Sequence, residues 1–375
     1  MSDQIGYYRQ VQPFQRDTSD LNLFLNTRNA LYRHLGIVPA FLFRQSIVEF
    51  GPGFGENAIL PLLHKPRRYV LVDSNENCLE KTRDRLTPHR HPDTQLDYRL
   101  CTIDEFHSDE TFDLVICESV IPREIQPEKM LLSVARHVSM GGVLIITCQD
   151  QVSTFAELLR RLITLLVVPL NAPLEDKLAR LVPLFEPHLK TIQGMNRSPS
   201  NWILDNLLRP WEDVSFSIVD AIHALRDRFD VHGTSPRFIT DSRWHRIIQS
   251  DDPGFNDIAE KDYYSQVHNL INHREWTPAV PVEKNKQLLE MCLKIFELVR
   301  TVENQQDRNL VPVILDHLQT VIELAADFSV ATGQALRDYH RVLDRFHRSG
   351  VLEPFSEFAP LFGRGQQFAS FVRRC

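Results

Sequence analysis

The sequence has no CxxC pair, no long apolar run and no excess of positive charge. Its six cysteines, Cys78, Cys101, Cys117, Cys148, Cys292 and Cys375, are scattered along 375 residues. That excludes a dense disulfide scaffold and a thiolate zinc site, and it reads as free thiols in a reducing compartment. The most apolar stretch, residues 162–170, contains Thr164 and Pro169 and is too short to span a bilayer. The first residues, Met1-Ser2-Asp3-Gln4, are polar and carry no apolar signal stretch. The expected location is the cytoplasm, with no membrane partner. Lys plus Arg number 42 and Asp plus Glu 49, a net charge of −7. This disfavours a nucleic-acid partner held by overall charge. There is no internal repeat, no G-x-x-x-x-G-K-[ST] loop, no G-x-S-x-G elbow and no H-E-x-x-H pair. His89 with His91, and His268 with His273, read as surface histidines, and no metal is expected.

What is present is an ordinary globular composition, 43% hydrophobic and 24% charged. Residues 1–45 read as a helical lead-in, with Leu21, Phe24, Leu25, Leu31, Tyr32 and Leu35 at helical spacing. Arg28 and Arg33 of this lead-in read as surface residues or as partners of a ligand carboxylate, with the surface expected. The period then changes. Short apolar, β-prone runs at 46–50, 69–73, 97–101, 112–117 and 142–148 alternate with helical patterns. Such runs lack the alternation of a half-exposed strand, which points to a parallel sheet covered on both faces. Residues 151–215 interrupt the rhythm with apolar helices broken by prolines. A core helix follows at 217–229, a sixth strand at 230–234 and a seventh at 243–248. From 255 to 375 the chain reads as helix, with Leu288, Cys292, Ile295, Val299 and Val302 on one face. The expected fold is α/β: a doubly wound, mostly parallel seven-stranded, Rossmann-like sheet with a helical insertion and a helical C-terminal extension. The core spans 46–250, and its insertion 151–215 is expected to form a substrate lid.

The sharpest local signal is Glu49-Phe50-Gly51-Pro52-Gly53-Phe54-Gly55, between a strand and a helix. Glycines let the backbone turn tightly and approach a ligand, and a helix N-terminus favours a negative group. Asp73 ends the second strand, where a carboxylate can accept from both ribose hydroxyls. The glycine spacing is G-x-G-x-G, not the G-x-G-x-x-G of dinucleotide binders. With its preceding acid, this segment resembles motif I of class I S-adenosylmethionine-dependent methyltransferases. The resemblance implies that Glu49 positions the methionine amino end and that Gly51, Gly53 and Gly55 pass close to the cofactor. It implies that Asp73 holds the ribose, with Ser74 beside it. It also implies that Asp104 contacts the adenine amine and Ile103 packs on the ring. The cofactor it implies is S-adenosyl-L-methionine.

The acceptor site is less marked, because a sulfonium carries its own leaving group and needs chiefly an in-line nucleophile. Glu118 follows the fourth strand, a position that borders the methyl group in that family. It reads as a cofactor or acceptor contact, as a base, or as the cap of its turn. Gln149 and Asp150 close the fifth strand; Asp150 reads as an acid–base group or a solvated turn acid. Arg197 and Trp202 precede or open a helix, as an anion site and pocket wall or as a capped linker. The resemblance implies that Tyr7 and Tyr8 fold over the cofactor, with Tyr8 meeting the acceptor; the residues read equally as a helix packing edge or a loose terminus. The expected activity is methyl transfer to an oxygen or nitrogen of a small molecule. The alternatives are a non-catalytic methyltransferase-like partner protein and an NAD-dependent oxidoreductase on the same core. The helical regions are also candidates for a homodimer interface.

Overall fold

The computed structural model describes residues 17–195, 197–210, 215–249 and 252–375. Tyr7, Tyr8 and Trp211 lie outside the described residues. The chain divides into two compact units. One comprises the residues up to Gln149, Trp211–Tyr263 and Gln366–Cys375; the other comprises Asp150–Pro210 and Tyr264–Gly365.

The first unit holds a seven-stranded sheet in the order β3-β2-β1-β4-β5-β7-β6. Its strands are β1 (Ser46–Phe50), β2 (Arg68–Asp73), β3 (Gln95–Leu100), β4 (Phe112–Cys117), β5 (Val138–Cys148), β6 (Phe229–Ser235) and β7 (Gln367–Arg373). Neighbours from β3 through β5 are parallel, and β7 runs antiparallel to both β5 and β6. Every residue of β1 is buried, Ser46 and Glu49 included, as in a central strand with both faces covered. β3 lies at the edge and is only partly buried.

The helices of this unit are α1 (Leu21–His34), α2 (Pro39–Leu42), α3 (Ile59–Leu63), α4 (Glu76–Leu86) and α5 (Pro127–Ala135). The Asp20 carboxylate caps α1 by accepting from Leu23 N at 3.0 Å. Phe24, Arg28 and Tyr32, spaced by four, form the buried side of α1. Tyr32 and Leu35 join Ile59, Leu60, Ile47, Tyr69 and Leu71 in one apolar cluster. The connection from β3 to β4 has no helix; Phe106 fills the layer, edge-on to Phe50 at 5.4 Å and to His137 at 5.1 Å.

Two expectations need correction here. Residues 243–248 are not a strand: they hold a single 3₁₀ turn, His245–Ile247, with Trp244, Ile247 and Ile248 exposed. The seventh strand is β7, near the far end of the region expected to be helical. It fits there because Ala369 and Phe371 are fully buried between β5 and β6.

The second unit is helical. Its first stretch carries α6 (Phe155–Val167), α7 (Leu174–Leu189) and α8 (Pro199–Ile203). In the first unit, α9 (Ile218–Leu225) opens with a capping box between Ser217 and Asp220. After α10 (Phe255–Gln266), the second stretch carries α11 (Val282–Gln305), α12 (Val311–Phe328) and α13 (Val330–Ser349). Leu288, Cys292, Ile295, Val299 and Val302 are all buried, as their spacing demands. Arg160 of α6 is fully buried and donates to Ala156 O at 3.2 Å, Ala359 O at 3.0 Å and His188 Nδ1 at 3.2 Å. His268 is buried, not at the surface: its Nε2 lies 3.0 Å from Thr277 Oγ1 and its Nδ1 3.1 Å from Asn285 Nδ2. No described helix is long and apolar enough to cross a membrane.

Candidate functional site

β1 delivers the chain into the glycine turn at the carboxyl edge of the sheet. Gly51, Gly53 and Gly55 have φ of 68°, 59° and 82°, a region that costs other residues about 1–2 kcal/mol. The three serve different ends. A Cβ on Gly51 would sit 2.7 Å from Val120 Cγ2, and one on Gly55 would sit 3.0 Å from Thr82 Cγ2. Among the described residues, a Cβ on Gly53 would meet nothing within 4 Å. The turn is therefore packed on two sides and open at its middle glycine. Thr82 of α4 secures it by donating to Gly53 O at 2.9 Å, and Gly51 N donates to Val72 O at 2.8 Å.

Asp73 ends β2 beside that open glycine. Its Oδ1 accepts from Asn75 N at 2.9 Å. Burial lifts its carboxyl to about 6, against the opposing hydrogen bonds of the Asn75, Gly53 and Ser74 backbone. Ser74 is exposed next to it, and Asn75 caps α4 through Asn77 N. Beyond β3, Ile103 is half-buried, and Asp104 is exposed and accepts from Ser133 Oγ at 3.0 Å.

A buried charged cluster lies at the ends of β1 and β4. The register pairs Ile47 with Tyr69, so Glu49 and Tyr69 are diagonal neighbours on one face. The Tyr69 hydroxyl donates to Glu49 Oε2. Glu118 follows β4 and receives Arg28 in a two-pronged ion pair, Nη2 to Oε1 at 2.7 Å and Nη1 to Oε2 at 3.0 Å. Asn57 Nδ2 adds a third bond to Glu118 Oε2 at 2.9 Å. Arg28 is therefore buried, not at the surface as its charge suggests; the Glu118 carboxylate replaces its lost hydration. Ser119 turns the chain away with φ of 63°. Its N donates to Thr147 Oγ1 and its Oγ to Gln366 Oε1, both at 2.7 Å.

The remaining candidates are held by other partners. Gln149 forms a reciprocal backbone pair with Phe216, both bonds 2.8 Å. Asp150 is buried instead of solvated, and its Oδ1 caps the following turn through Ser153 N at 2.8 Å. In the second unit, Arg197 pairs with Asp205 at 3.1 Å and Trp202 packs edge-on against Phe362. Sequence reasoning missed Tyr69, Asn57 and Gln366. It also misplaced Arg28, although a charged residue between Phe24 and Tyr32 on an apolar helix face was a usable signal. Among the described residues, no group of His, Cys, Asp and Glu is arranged to hold a metal ion.

Residues 48–146 match the family described as "Methyltransferase domain", which covers about a quarter of the chain. No curated protein matches the chain. Among solved structures, an S-adenosylmethionine-dependent methyltransferase from Mesorhizobium loti is similar at 19% identity, over 34% of this chain and 54% of its own, with a TM-score of 0.28. The N-methyltransferase NodS from Bradyrhizobium japonicum WM9, in complex with S-adenosyl-L-homocysteine, aligns at 17% identity, over 40% of this chain and 74% of its own, with a TM-score of 0.31. PKMT2 from Rickettsia typhi, in complex with AdoHcy, aligns at 14% identity, over 67% of this chain and 52% of its own, with a TM-score of 0.43. The chain thus spans little more than half the length of two of these three proteins. The match to a methyltransferase domain thus covers β1 through most of β5, with the glycine turn inside it.

Proposed function

We propose that this protein transfers a methyl group from S-adenosyl-L-methionine to an oxygen or nitrogen atom of a small molecule. The observation that carries the reading is the open side of Gly53, flanked by the Asp73 carboxylate and the Glu49 cluster. A side chain at Gly53 would fill space that the surrounding residues leave free, which suits a ligand passing close to the backbone. In this reading Gly51, Gly53 and Gly55 cradle the cofactor, Asp73 with Ser74 holds the ribose, Ile103 and Asp104 border the adenine, and Glu49 takes the amino group. Bound there, the cofactor supplies an electrophilic methyl whose C–S bond breaks with its electron pair returning to sulfur. The acceptor loses its proton to solvent.

Glu118 is assigned to holding Arg28 and Asn57, since both of its oxygens are engaged. A small acceptor is favoured by the acidic balance of the chain and by the apolar character of residues 151–215. Six free cysteines suit the cytoplasm.

Calorimetric titration with S-adenosylmethionine and S-adenosylhomocysteine, with NAD as control, tests the reading. Saturable binding of both sulfur nucleotides is expected, falling about a hundredfold in Asp73→Ala, since charged hydrogen bonds contribute about 1.5–3 kcal/mol each. Binding of NAD alone, or of none of the three, overturns it.

A further inference from the structure

Glu49 is a buried carboxyl whose hydrogen-bond partner among the described residues is a neutral hydroxyl. The groups facing it come from three elements. From α1 come Arg28 and Tyr32; from β2 comes Tyr69; from the end of β4 come Cys117 and Glu118. Arg28 is the one cation among them, and both of its terminal nitrogens are committed to Glu118. The cluster therefore contains two acids and one base, with the base already spent. A buried carboxylate in that position is costly until a second cation arrives.

We infer that Tyr69 is a positioning residue for the amino-acid end of the cofactor, because its buried hydroxyl fixes Glu49 as the acceptor for one incoming ammonium group in exchange for a proton. The inference rests on the function proposed above and deepens it. Tyr69 holds Oε2 and, among the described residues, leaves Oε1 to be met by a further donor. The hydroxyl also favours the ionised carboxylate, which the neighbouring Glu118 opposes. Burial lifts Glu49 to about 7, and the Tyr69 bond works against that rise. Below that value the carboxyl carries a proton that an ammonium group must displace. Above it the carboxylate is already bare. Affinity for the cofactor therefore climbs as pH rises toward 7 and then levels off.

The experiment uses S-adenosylhomocysteine as probe, titrated calorimetrically between pH 6 and pH 8 in two buffers of different ionisation enthalpy. The wild-type chain is expected to release close to one proton from Glu49 at pH 6 and little at pH 8. In Tyr69→Phe the ring stays and the hydroxyl goes, so Glu49 shifts further up by about one unit, tenfold in its ionisation. Affinity is then about tenfold weaker than wild type at pH 6, and the gap narrows to about twofold at pH 8. Asp73 titrates in both proteins and cancels from that comparison. Glu49→Gln provides the second variant, with weak binding that no longer strengthens above pH 6.5 and no proton released there.

Circular dichroism and the unfolding midpoint check that each variant folds. A gap between Tyr69→Phe and wild type that is the same at every pH makes Tyr69 merely structural and overturns the inference. So does wild-type binding without proton release, which leaves the methyltransferase reading standing. Absence of any wild-type binding removes both.

Discussion

Two buried arginines, Arg160 of the helical unit and Arg28 of the first unit, are stabilised by different means. Arg160 donates to neutral acceptors, two carbonyls and an imidazole, with its guanidinium carbon 3.8 Å from the Phe362 ring centroid. Its partners Ala156 and Ala359 come from both stretches of the helical unit, so it acts as a cross-link. Arg28 instead meets a carboxylate, and a second acid stands beside the pair. Carbonyl dipoles satisfy the donors of a guanidinium but leave its positive charge in place, whereas a carboxylate partner cancels that charge and a further acid beside the pair then upsets the balance. The first arrangement builds a fold. The second leaves Glu49 in excess and so prepares a place for a cation.

The largest test of this contrast removes one partner of the ion pair. Glu118→Leu strands Arg28 and is expected to cost about 3–5 kcal/mol in urea unfolding. The double variant Arg28→Met with Glu118→Leu should recover most of that loss. A single-variant loss below about 1 kcal/mol would break the contrast.

The next test is pH. Glu49 has a folded value of about 7 against 4.5 for the free group, so the folded protein binds the extra proton. Its contribution is most favourable below 4.5 and is lost as pH rises through about 7, at most about 3 kcal/mol. His188 behaves the other way. Burial beside Arg160 lowers it from 6.5 to about 3, so its contribution is present above 6.5 and lost as pH falls toward 3. Unfolding curves across pH should flatten on the neutral side in Glu49→Gln and on the acid side in His188→Gln. Equal slopes in wild type and variants would show that neither group carries the effect.

The smallest effect belongs to the glycine turn. Gly53→Ala meets no neighbour and should cost only about 1 kcal/mol, the price of its positive φ. Gly51→Ala drives a Cβ against Val120 and should cost more. The same Gly53→Ala protein should nonetheless lose most of its affinity for S-adenosylhomocysteine in the calorimeter.

The parts of this protein legible in the sequence are those encoded within a dozen consecutive residues. The runs SIVEF, YVLVD and FDLVIC announce central strands because both faces of each are apolar. The glycine spacing announces a turn because only those residues take its backbone angles cheaply. β7 was not legible: QFASFVR follows a long run of helices, and its neighbours β5 and β6 lie more than a hundred residues earlier. Residues 243–248 misled because Trp244, Ile247 and Ile248 look strand-like, yet no strand lies beside them. The partner of Glu118 was hidden for the same reason as β7. Arg28 is 90 positions away; the apolar face of α1 marks it as buried but does not name its partner.

The place of β7 also fixes the order in which the protein can be made. As the chain emerges from a ribosome, β1 to β5 appear early and β6 follows. The slot between β5 and β6 then stays vacant while more than a hundred further residues are synthesised. Throughout that interval two strands expose unpaired amide edges, the kind of surface on which nascent chains adhere to one another. The sheet closes only when residues 367–373 arrive, so the helical unit has time to form before the sheet is complete.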